Sequence, residues 1–150
     1  LRRRLTPALC LMKDIALLEA KCADCGRLFG HPSLGDFAYG EVVLCTADGK
    51  HYATVDAFNE FAVQVHALVR SGGTSSIWPA LAALADPVAG QQFTTSLHCP
   101  DCGSNNLEYW GGQKVGVACV PEASFTAVAG LSPSLLAQHM ALAISQAREA

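Results

Sequence analysis

The sequence has few charges, few aromatic residues and no long uninterrupted apolar run. Charged residues make up 15% of the 150 residues and aromatic residues 7%, whereas hydrophobic residues make up 51%. Because a chain this apolar can bury enough surface to offset the entropy of folding, we exclude disorder for most of its length. No segment reaches the roughly 18 to 20 consecutive apolar residues that a membrane helix requires, and we therefore expect no membrane-spanning helix.

Several catalytic signatures are also missing. The sequence contains no His-Glu-x-x-His motif, no Gly-x-Ser-x-Gly motif and no phosphate-binding Gly-x-x-x-x-Gly-Lys-Ser/Thr motif. It also lacks the His-x-Glu or Cys-x-Glu element that a zinc deaminase places upstream of its cysteine pair. These absences favour a protein without enzymatic activity.

Basic residues are scarce outside the first few positions. The chain has 10 Lys and Arg against 13 Asp and Glu, a formal net charge of -3, and Arg2, Arg3 and Arg4 supply three of the positive charges. The rest of the chain is therefore acidic, and Lys21 with Arg27 is its only local basic pair. Because an acidic body is a poor match for a phosphate backbone, the charge disfavours nucleic-acid binding.

The first eleven residues differ from the rest of the chain. Residues 1–11 have the charged start and short apolar run of a secretory signal, but Lys13 and Asp14 interrupt that run and no small-x-small cleavage site follows. The sequence MKDI that begins at Met12 resembles a bacterial translation start. We therefore expect residues 1–11 to be a disordered arm or an upstream extension, and residues 12–150 to form a single α+β domain.

The hydrophobic pattern predicts an α+β fold of two small antiparallel β-hairpins and three helices. An Asp-Gly turn between apolar runs is the strongest local hairpin signal, and one joins predicted strands at 41–46 and 51–55. Apolar residues at helical spacing from Phe58 onward predict a helix, and Ser132 followed by Pro133 marks the start of another. The remaining predicted elements are a loop at 30–40, a short helix through Leu84, a strand at 92–97, and a hairpin of strands 107–110 and 114–120 around Gly111-Gly112.

Seven cysteines are the most unusual feature of the composition. Four of them form two Cys-x-x-Cys-Gly elements, Cys22-Ala-Asp-Cys25-Gly26 and Cys99-Pro-Asp-Cys102-Gly103. A spacing of two residues lets a tight turn direct both thiolates at one ion, and the glycine tolerates the left-handed backbone that the turn needs. Together the two elements can supply the four ligands of a closed tetrahedral metal site.

These two elements resemble the knuckles of the zinc-ribbon superfamily. The resemblance is confined to the knuckles, and it implies a split zinc-ribbon-like core with one structural Zn²⁺ per chain. The 73 residues between Cys25 and Cys99 are far more than a simple ribbon has. Closing a loop of that length costs about 4 kcal/mol, whereas structural zinc contributes roughly 10 to 16 kcal/mol in small peptides. The long gap is therefore compatible with a shared site.

Other uses of the cysteines stay open at this point. Each Cys-x-x-Cys pair would also suit a redox dithiol, and a four-cysteine set would also suit an iron–sulfur cluster. Two separate metal sites would draw on Cys45 or Cys119 with His31, His51 or His98. The trailing glycine in both pairs favours one shared zinc site, and we expect Cys45 and Cys119 to be buried strand cysteines that pack as small hydrophobes.

The cysteine positions also indicate an internal repeat. Cys22, Cys25 and Cys45 recur as Cys99, Cys102 and Cys119, at offsets of 77, 77 and 74 residues. Each trio is followed by extended residues and then by an apolar helix. One interpretation is therefore two similar halves, 12–73 and 90–150, that face each other.

The sequence predicts a small soluble cytoplasmic protein with structural zinc that acts as a protein–protein interaction or accessory module. Close cysteine pairs with metal spacing suit a reducing compartment better than a disulfide framework does. Tyr109 and Trp110, next to a Gly-Gly turn, are the candidate contact residues, because tyrosine and tryptophan are enriched at interfaces. The alternatives are a nucleic-acid-binding zinc-ribbon protein or a subunit of a nucleoprotein complex, and a Cys-x-x-Cys thiol oxidoreductase.

Overall fold

A computed structural model describes residues 13–35, 40–71 and 77–149 of the chain. The described residues form an α+β fold with two antiparallel sheets and three helices, which confirms the predicted fold class. The strands are β1 (Lys13–Cys22), β2 (Leu28–Ser33), β3 (Glu41–Thr46), β4 (Tyr52–Asp56), β5 (Phe93–Thr94), β6 (Leu107–Tyr109) and β7 (Lys114–Val120). The helices are α1 (Glu60–Ser71), α2 (Ile77–Leu84) and α3 (Pro133–Glu149). The predicted arm, residues 1–11, lies outside the described residues.

Strand β1 is the centre of a four-stranded antiparallel sheet. On one side it pairs with β2 along residues 16–21. On its other side it pairs with β7 along residues 13–18 and then with β6 near Cys22. The two strands that we predicted as a second hairpin therefore lie end to end along β1 and do not pair with each other. The segment between them stays on β1 because the N–H of Gly112 donates to the carbonyl of Glu19 at 3.0 Å.

Strand β2 occupies the start of the segment that we predicted to be a loop, residues 30–40. Its last four residues pair with β1 and include Pro32, which is compatible with a strand because β2 lies at the edge of the sheet. A Cβ at Gly30 would lie 3.1 Å from Val115 Cγ2 and 3.2 Å from Leu17 Cβ. This glycine therefore marks close packing within the sheet, and the prediction of a loop from residue 30 is wrong.

A second sheet, of three strands in the order β4-β3-β5, is built from the residues between the two Cys-x-x-Cys elements. Its β3–β4 hairpin matches the prediction, with β3 at the predicted residues and β4 displaced by one residue. Strand β5 pairs with β3 only through Phe93 and Thr94 and is shorter than the predicted strand at 92–97. The chain turns there because Thr94 Oγ1 accepts a hydrogen bond from the N–H of Ser96 at 3.2 Å.

Side-chain caps fix the starts of two helices. Asn59 Oδ1 accepts the N–H of Ala62 at 2.7 Å before α1, and Ser132 Oγ accepts the N–H of Leu135 at 3.3 Å before α3, as predicted for Ser132. Phe58, which we placed on the buried stripe of the first helix, precedes α1 and is 69% exposed. Among the described helices, none is long and apolar enough to cross a membrane.

The described residues form two hydrophobic cores. The larger core lies between the three-stranded sheet and the helices, and its largest buried side chains include Leu44, Val65, Leu81 and Leu136. The smaller core consists of Ala20, Cys22, Phe29 and Cys99, with Leu97 and Leu107 packed against it. Because two knuckle cysteines belong to the smaller core, the Cys-x-x-Cys elements are anchored at one end of the four-stranded sheet.

Candidate metal centre

Strand pairing brings the two Cys-x-x-Cys-Gly elements together. The first knuckle, residues 22–26, connects β1 to β2, and the second knuckle, residues 99–103, lies between β5 and β6. Strand β6 pairs with β1 at Cys22, and the N–H of Ala23 donates to the carbonyl of Asn106 at 2.9 Å. Backbone hydrogen bonds thus close the long sequence gap and place the second knuckle opposite the first.

The four knuckle cysteines form one compact cluster of sulfur atoms. The Sγ atoms of Cys22 and Cys102 are 3.6 Å apart, as are those of Cys25 and Cys99, and all four sulfurs lie within 4.8 Å of one another. A tetrahedral ion with bonds of about 2.3 Å to sulfur separates its ligand atoms by about 3.8 Å. The cluster therefore fits an ion bound tetrahedrally by four thiolates.

The two knuckles have the same backbone geometry. The N–H of Gly26 donates to the carbonyl of Cys22 at 3.0 Å, and the N–H of Gly103 donates to the carbonyl of Cys99 at 2.8 Å. Both glycines have positive φ, +78° and +76°, a region that residues with a Cβ rarely adopt. The left-handed glycine predicted after each cysteine pair is confirmed.

Backbone N–H groups point at the sulfur atoms. The N–H of Asp101 donates to Cys99 Sγ at 3.4 Å. In the first knuckle, the N–H of Cys25 donates a hydrogen bond that lowers the pKa of the Cys22 thiol to about 7. Burial opposes this shift, and the N–H of Asp24 adds to it. Such donors stabilise the thiolate, which is the form that binds a metal ion.

The cluster lies between the smaller core and the surface. Cys22 and Cys99 are 1% and 0% exposed, whereas Cys25 and Cys102 are exposed. The first cysteine of each knuckle is therefore packed in the core, and the second faces solvent. An ion held by all four sulfurs would have a closed coordination shell, with no position left for a substrate.

Side chains other than the cysteines link the knuckles directly, and sequence reasoning did not identify them. Asp24 accepts hydrogen bonds from the Ser104 hydroxyl and from Asn106 Nδ2, the latter at 3.2 Å. In the other direction, Asp101 forms an ion pair with Arg27 at 3.5 Å. The contacts are reciprocal, because the aspartate of each knuckle meets the residue that follows the glycine of the other. The available sequence signal was the aspartate before the second cysteine of both elements.

The β3–β4 hairpin rests on the second knuckle. Gly49 in its turn has a φ of +76°, and a Cβ there would lie 2.5 Å from the carbonyl oxygen of His98 and 2.6 Å from the carbonyl carbon of Cys99. The imidazole of His98 fixes the same segment, with Nδ1 2.9 Å from the Gly103 carbonyl and Nε2 3.1 Å from Thr94 Oγ1. The three-stranded sheet is therefore in direct contact with the metal centre.

The other cysteines and histidines that we considered do not join the cluster. Cys45 is buried in β3, as predicted. The prediction that Cys119 is buried is wrong, because its neighbour Val120 points into the core and Cys119 is exposed on β7, at the far end of β1. His31 is buried, and its Nε2 accepts the N–H of Gly111 at 3.0 Å. Within the described ranges, no second group of His, Cys, Asp and Glu side chains is arranged to share an ion.

The two candidate contact residues have different environments. Trp110 is 70% exposed. Tyr109 is 36% exposed, and its hydroxyl donates to Glu19 Oε1 at 2.7 Å. Of the pair, Trp110 thus presents the larger uncovered aromatic surface.

Comparison with protein-family models, with curated proteins and with solved structures finds no match to this chain. The sulfur cluster and its two knuckles are consistent with a zinc-ribbon-like site. The function is therefore inferred from the geometry of the site.

Proposed function

We propose that the four knuckle cysteines bind one structural Zn²⁺, and that the protein is a small cytoplasmic module that acts by binding other proteins. The metal assignment rests on the sulfur cluster, in which four thiols from two distant knuckles lie within 4.8 Å of one another. Four thiolates at this spacing are the ligand set of a closed structural zinc site. Zinc bound there ties β1 to the segment after β5 and stabilises the contact between the two sheets.

Cobalt substitution tests the metal assignment. Protein stripped of metal under reducing conditions should bind one Co²⁺ per chain and develop the intense visible absorption of tetrahedral thiolate coordination, which Zn²⁺ should then abolish. A Cys45→Ser variant should behave like the wild type, because Cys45 is a buried free cysteine outside the cluster. Weak absorption typical of octahedral oxygen ligands, or iron in the purified protein, would contradict the assignment.

A binding role without catalysis is supported by the ligand set and by the surface around it. Protein sulfurs would fill every position on the ion, so that the metal has no open position for chemistry. Exposed large apolar side chains on or beside the four-stranded sheet include Leu28, Trp110, Val115 and Val117. Uncovered apolar and aromatic side chains of this kind are typical of protein contact surfaces.

Nucleic-acid binding is our second candidate function, because the basic residues near the first knuckle are paired with acidic side chains. Lys21 forms an ion pair with Glu108 at 3.5 Å, and Arg27 forms one with Asp101 at 3.5 Å. Phosphate binding requires cationic groups that neutralise the backbone charge. We therefore expect no mobility shift of DNA or RNA at low salt, and a salt-sensitive shift would favour the alternative.

Thiol oxidoreductase activity is our third candidate function. A reactive cysteine combines a lowered pKa with exposure to solvent. Cys22, whose pKa is lowered, is buried. The N–H of Arg27 opposes the shift at the exposed Cys25, but partial desolvation of its sulfur and the neighbouring thiols raise the pKa of that thiol to about 12. Thiol titration should find the four cysteines reactive only after a chelator is added.

A further inference from the structure

A cleft of ≈ 670 Å³ lies between the two sheets, and none of the four knuckle cysteines lines it. Its volume is within the range of small-molecule sites, about 300 to 1,000 Å³. The wall is drawn from β2, β3, β4, the segment after β5, and β6 with the residues on either side of it. The polar and aromatic residues in this wall include His31, Glu41, Tyr52, Ser96, Asn105 and Trp110.

We propose that this cleft binds an organic cation, an ammonium or guanidinium group carried on an apolar stem, with Trp110 as its aromatic contact. The proposal goes beyond the metal site and does not depend on which ion the cysteines hold. It gives a role to the exposed tryptophan, which the metal centre does not use.

The backbone beside Trp110 is held by hydrogen bonds from two directions. The N–H of Gly111 donates to Nε2 of His31 at 3.0 Å, and the N–H of Gly112 donates to the carbonyl of Glu19 at 3.0 Å. The indole nevertheless remains 70% exposed. These backbone hydrogen bonds hold the residue that carries the indole at the wall of the cleft, with most of its aromatic surface uncovered.

The charge of the wall selects against anions. Glu41 is a lining carboxylate, and the described lining residues include no lysine or arginine. Burial lowers the pKa of His31, so that this ring is neutral at pH 7. The net charge of the chain is -3. An anionic ligand would therefore find no cationic side chain among the described wall residues, whereas the net negative charge of the chain favours a cation.

The remaining wall groups match the proposed ligand. An indole is the strongest cation–π partner among the side chains, and Tyr52 adds a second aromatic ring to the wall. An ammonium group carries donors only, and Ser96 and Asn105 supply oxygen acceptors. Val43 and Leu97 line the same cleft and can pack against the apolar stem.

Three probes with the same five-carbon stem test the charge selection. We would titrate 1,5-diaminopentane, 1,5-pentanediol and glutarate separately into the zinc-loaded full chain and follow the two indole N–H signals by NMR. The diamine should shift the Trp110 signal saturably and leave the Trp78 signal unchanged, because Trp78 packs against the larger core. The diol and glutarate should shift neither. Binding of either at the affinity of the diamine, or no saturable binding at all, would overturn the proposal.

Two variants test the residues that the proposal names, with backbone amide signals of the cleft as the readout. Trp110→Ala should weaken diamine binding about tenfold, the scale of one cation–π contact. Glu41→Gln should also weaken it, whereas Glu122→Gln, at an exposed acid outside the wall, should not. Thermal unfolding checks that each variant is folded. Unchanged affinity in a folded Trp110→Ala protein would refute the role of the indole.

A peptide experiment distinguishes two natural sources of the cation, a basic side chain of a partner protein and a free amine. A blocked tripeptide with a central lysine should be compared with its norleucine counterpart, which has a similar stem without charge. Binding of the lysine peptide at least as tightly as the diamine identifies a basic side chain of a partner protein as the ligand. Binding of the diamine alone identifies a free amine, and equal binding of the two peptides would contradict cation recognition.

Discussion

Cys22 and Cys99 occupy equivalent positions in the two knuckles. Each begins its knuckle, is buried and belongs to the smaller core. Cys22→Ser and Cys99→Ser should therefore each weaken zinc binding by more than about 100-fold, and to a similar degree, since both remove a ligand from one ion. Competition with a chromogenic zinc chelator measures the affinity, with Cys45→Ser as the control that retains the ion. A large loss in only one of the two variants would refute a shared site.

Asp24 links the two knuckles by hydrogen bonds and lies outside the sulfur cluster. Hydrogen bonds from Ser104 and Asn106 lower the pKa of its carboxyl group, so that it is ionised at neutral pH. Asp24→Asn should weaken zinc binding about tenfold and leave the Co²⁺ absorption spectrum unchanged, because outer contacts position the ligands. Asp101→Asn should have a smaller effect, since its exposed ion pair with Arg27 is screened by solvent. A changed Co²⁺ spectrum in Asp24→Asn would instead make this carboxylate a ligand.

The sequence carries the local chemistry of the knuckles but not the contacts between them. Two residues between cysteines and a glycine after them are requirements of one tight turn, and a pattern within five residues expresses them. The Asp24–Ser104 contact joins residues that are 80 positions apart. It depends on how β6 aligns with β1, and no local pattern encodes that register.

At the level of structural elements, the turn of the β3–β4 hairpin depends on glycine for two reasons. Gly49 has a φ of +76° and packs against the backbone of the second knuckle, whereas Gly90 has a φ of +77° and nothing within 4 Å of its Cβ position. Alanine in the left-handed region costs about 1–2 kcal/mol at either position. Gly49→Ala should lower the free energy of unfolding by about 1 to 3 kcal/mol more than Gly90→Ala does, because the added methyl group meets backbone atoms of the second knuckle.

Urea denaturation of the zinc-loaded variants measures this difference. Gly49→Ala should also weaken zinc binding, since the knuckle must move to make room, and Gly90→Ala should not. Equal stability of the two variants would show that packing of the hairpin turn against the second knuckle does not contribute to stability.

Asp86, just after α2, holds the segment that leads to α3. Burial opposes its ionisation, but hydrogen bonds from Thr126, Ser124 and the N–H of Ala127 outweigh burial and hold the pKa of this carboxyl well below 3.8. Asp86→Asn should therefore lower the free energy of unfolding at pH 7 by about 1 to 2 kcal/mol, after allowance for partial exposure.

The direction of the Asp86 pKa shift determines how the contribution of this residue to stability depends on pH. A carboxyl whose pKa is depressed by folding stabilises the native state above its unfolded pKa and loses that contribution as the pH falls through its folded pKa. The stability difference between wild type and Asp86→Asn should thus be constant from pH 7 to about 5 and narrow below about pH 4. Urea denaturation of both proteins at each pH measures it, and a difference that grows on acidification would contradict the role of the ionised carboxylate.

The element predictions failed where packing between strands overrides local preference. Glycine and proline near residue 30 are typical of a loop, yet the close contact with Val115 and the edge position of β2 make both compatible with a strand. Strands 107–109 and 114–120 were recognisable from their apolar runs, but their partner was not. Both pair with β1, and this choice is set by the whole sheet.

At the scale of the whole molecule, the two knuckles and their cysteine cluster lie where the two sheets meet. The four-stranded sheet carries the first knuckle and β6, and the turn of the three-stranded sheet rests against the second knuckle. The sequence predicted the α+β class and the four clustered cysteines, because composition and motif spacing suffice for both. It did not predict the cleft between the sheets, because that space exists only once the chain between the knuckles has folded.

Native mass spectrometry of the purified full chain tests the shared site most directly. The mass should correspond to one zinc ion per chain, and a chelator should remove it in a single step. Cys22→Ser and Cys99→Ser proteins, prepared in the same way, should carry none. Two zinc ions per chain, iron in place of zinc, or a metal-free wild type would contradict a single tetrahedral ion held between the two knuckles.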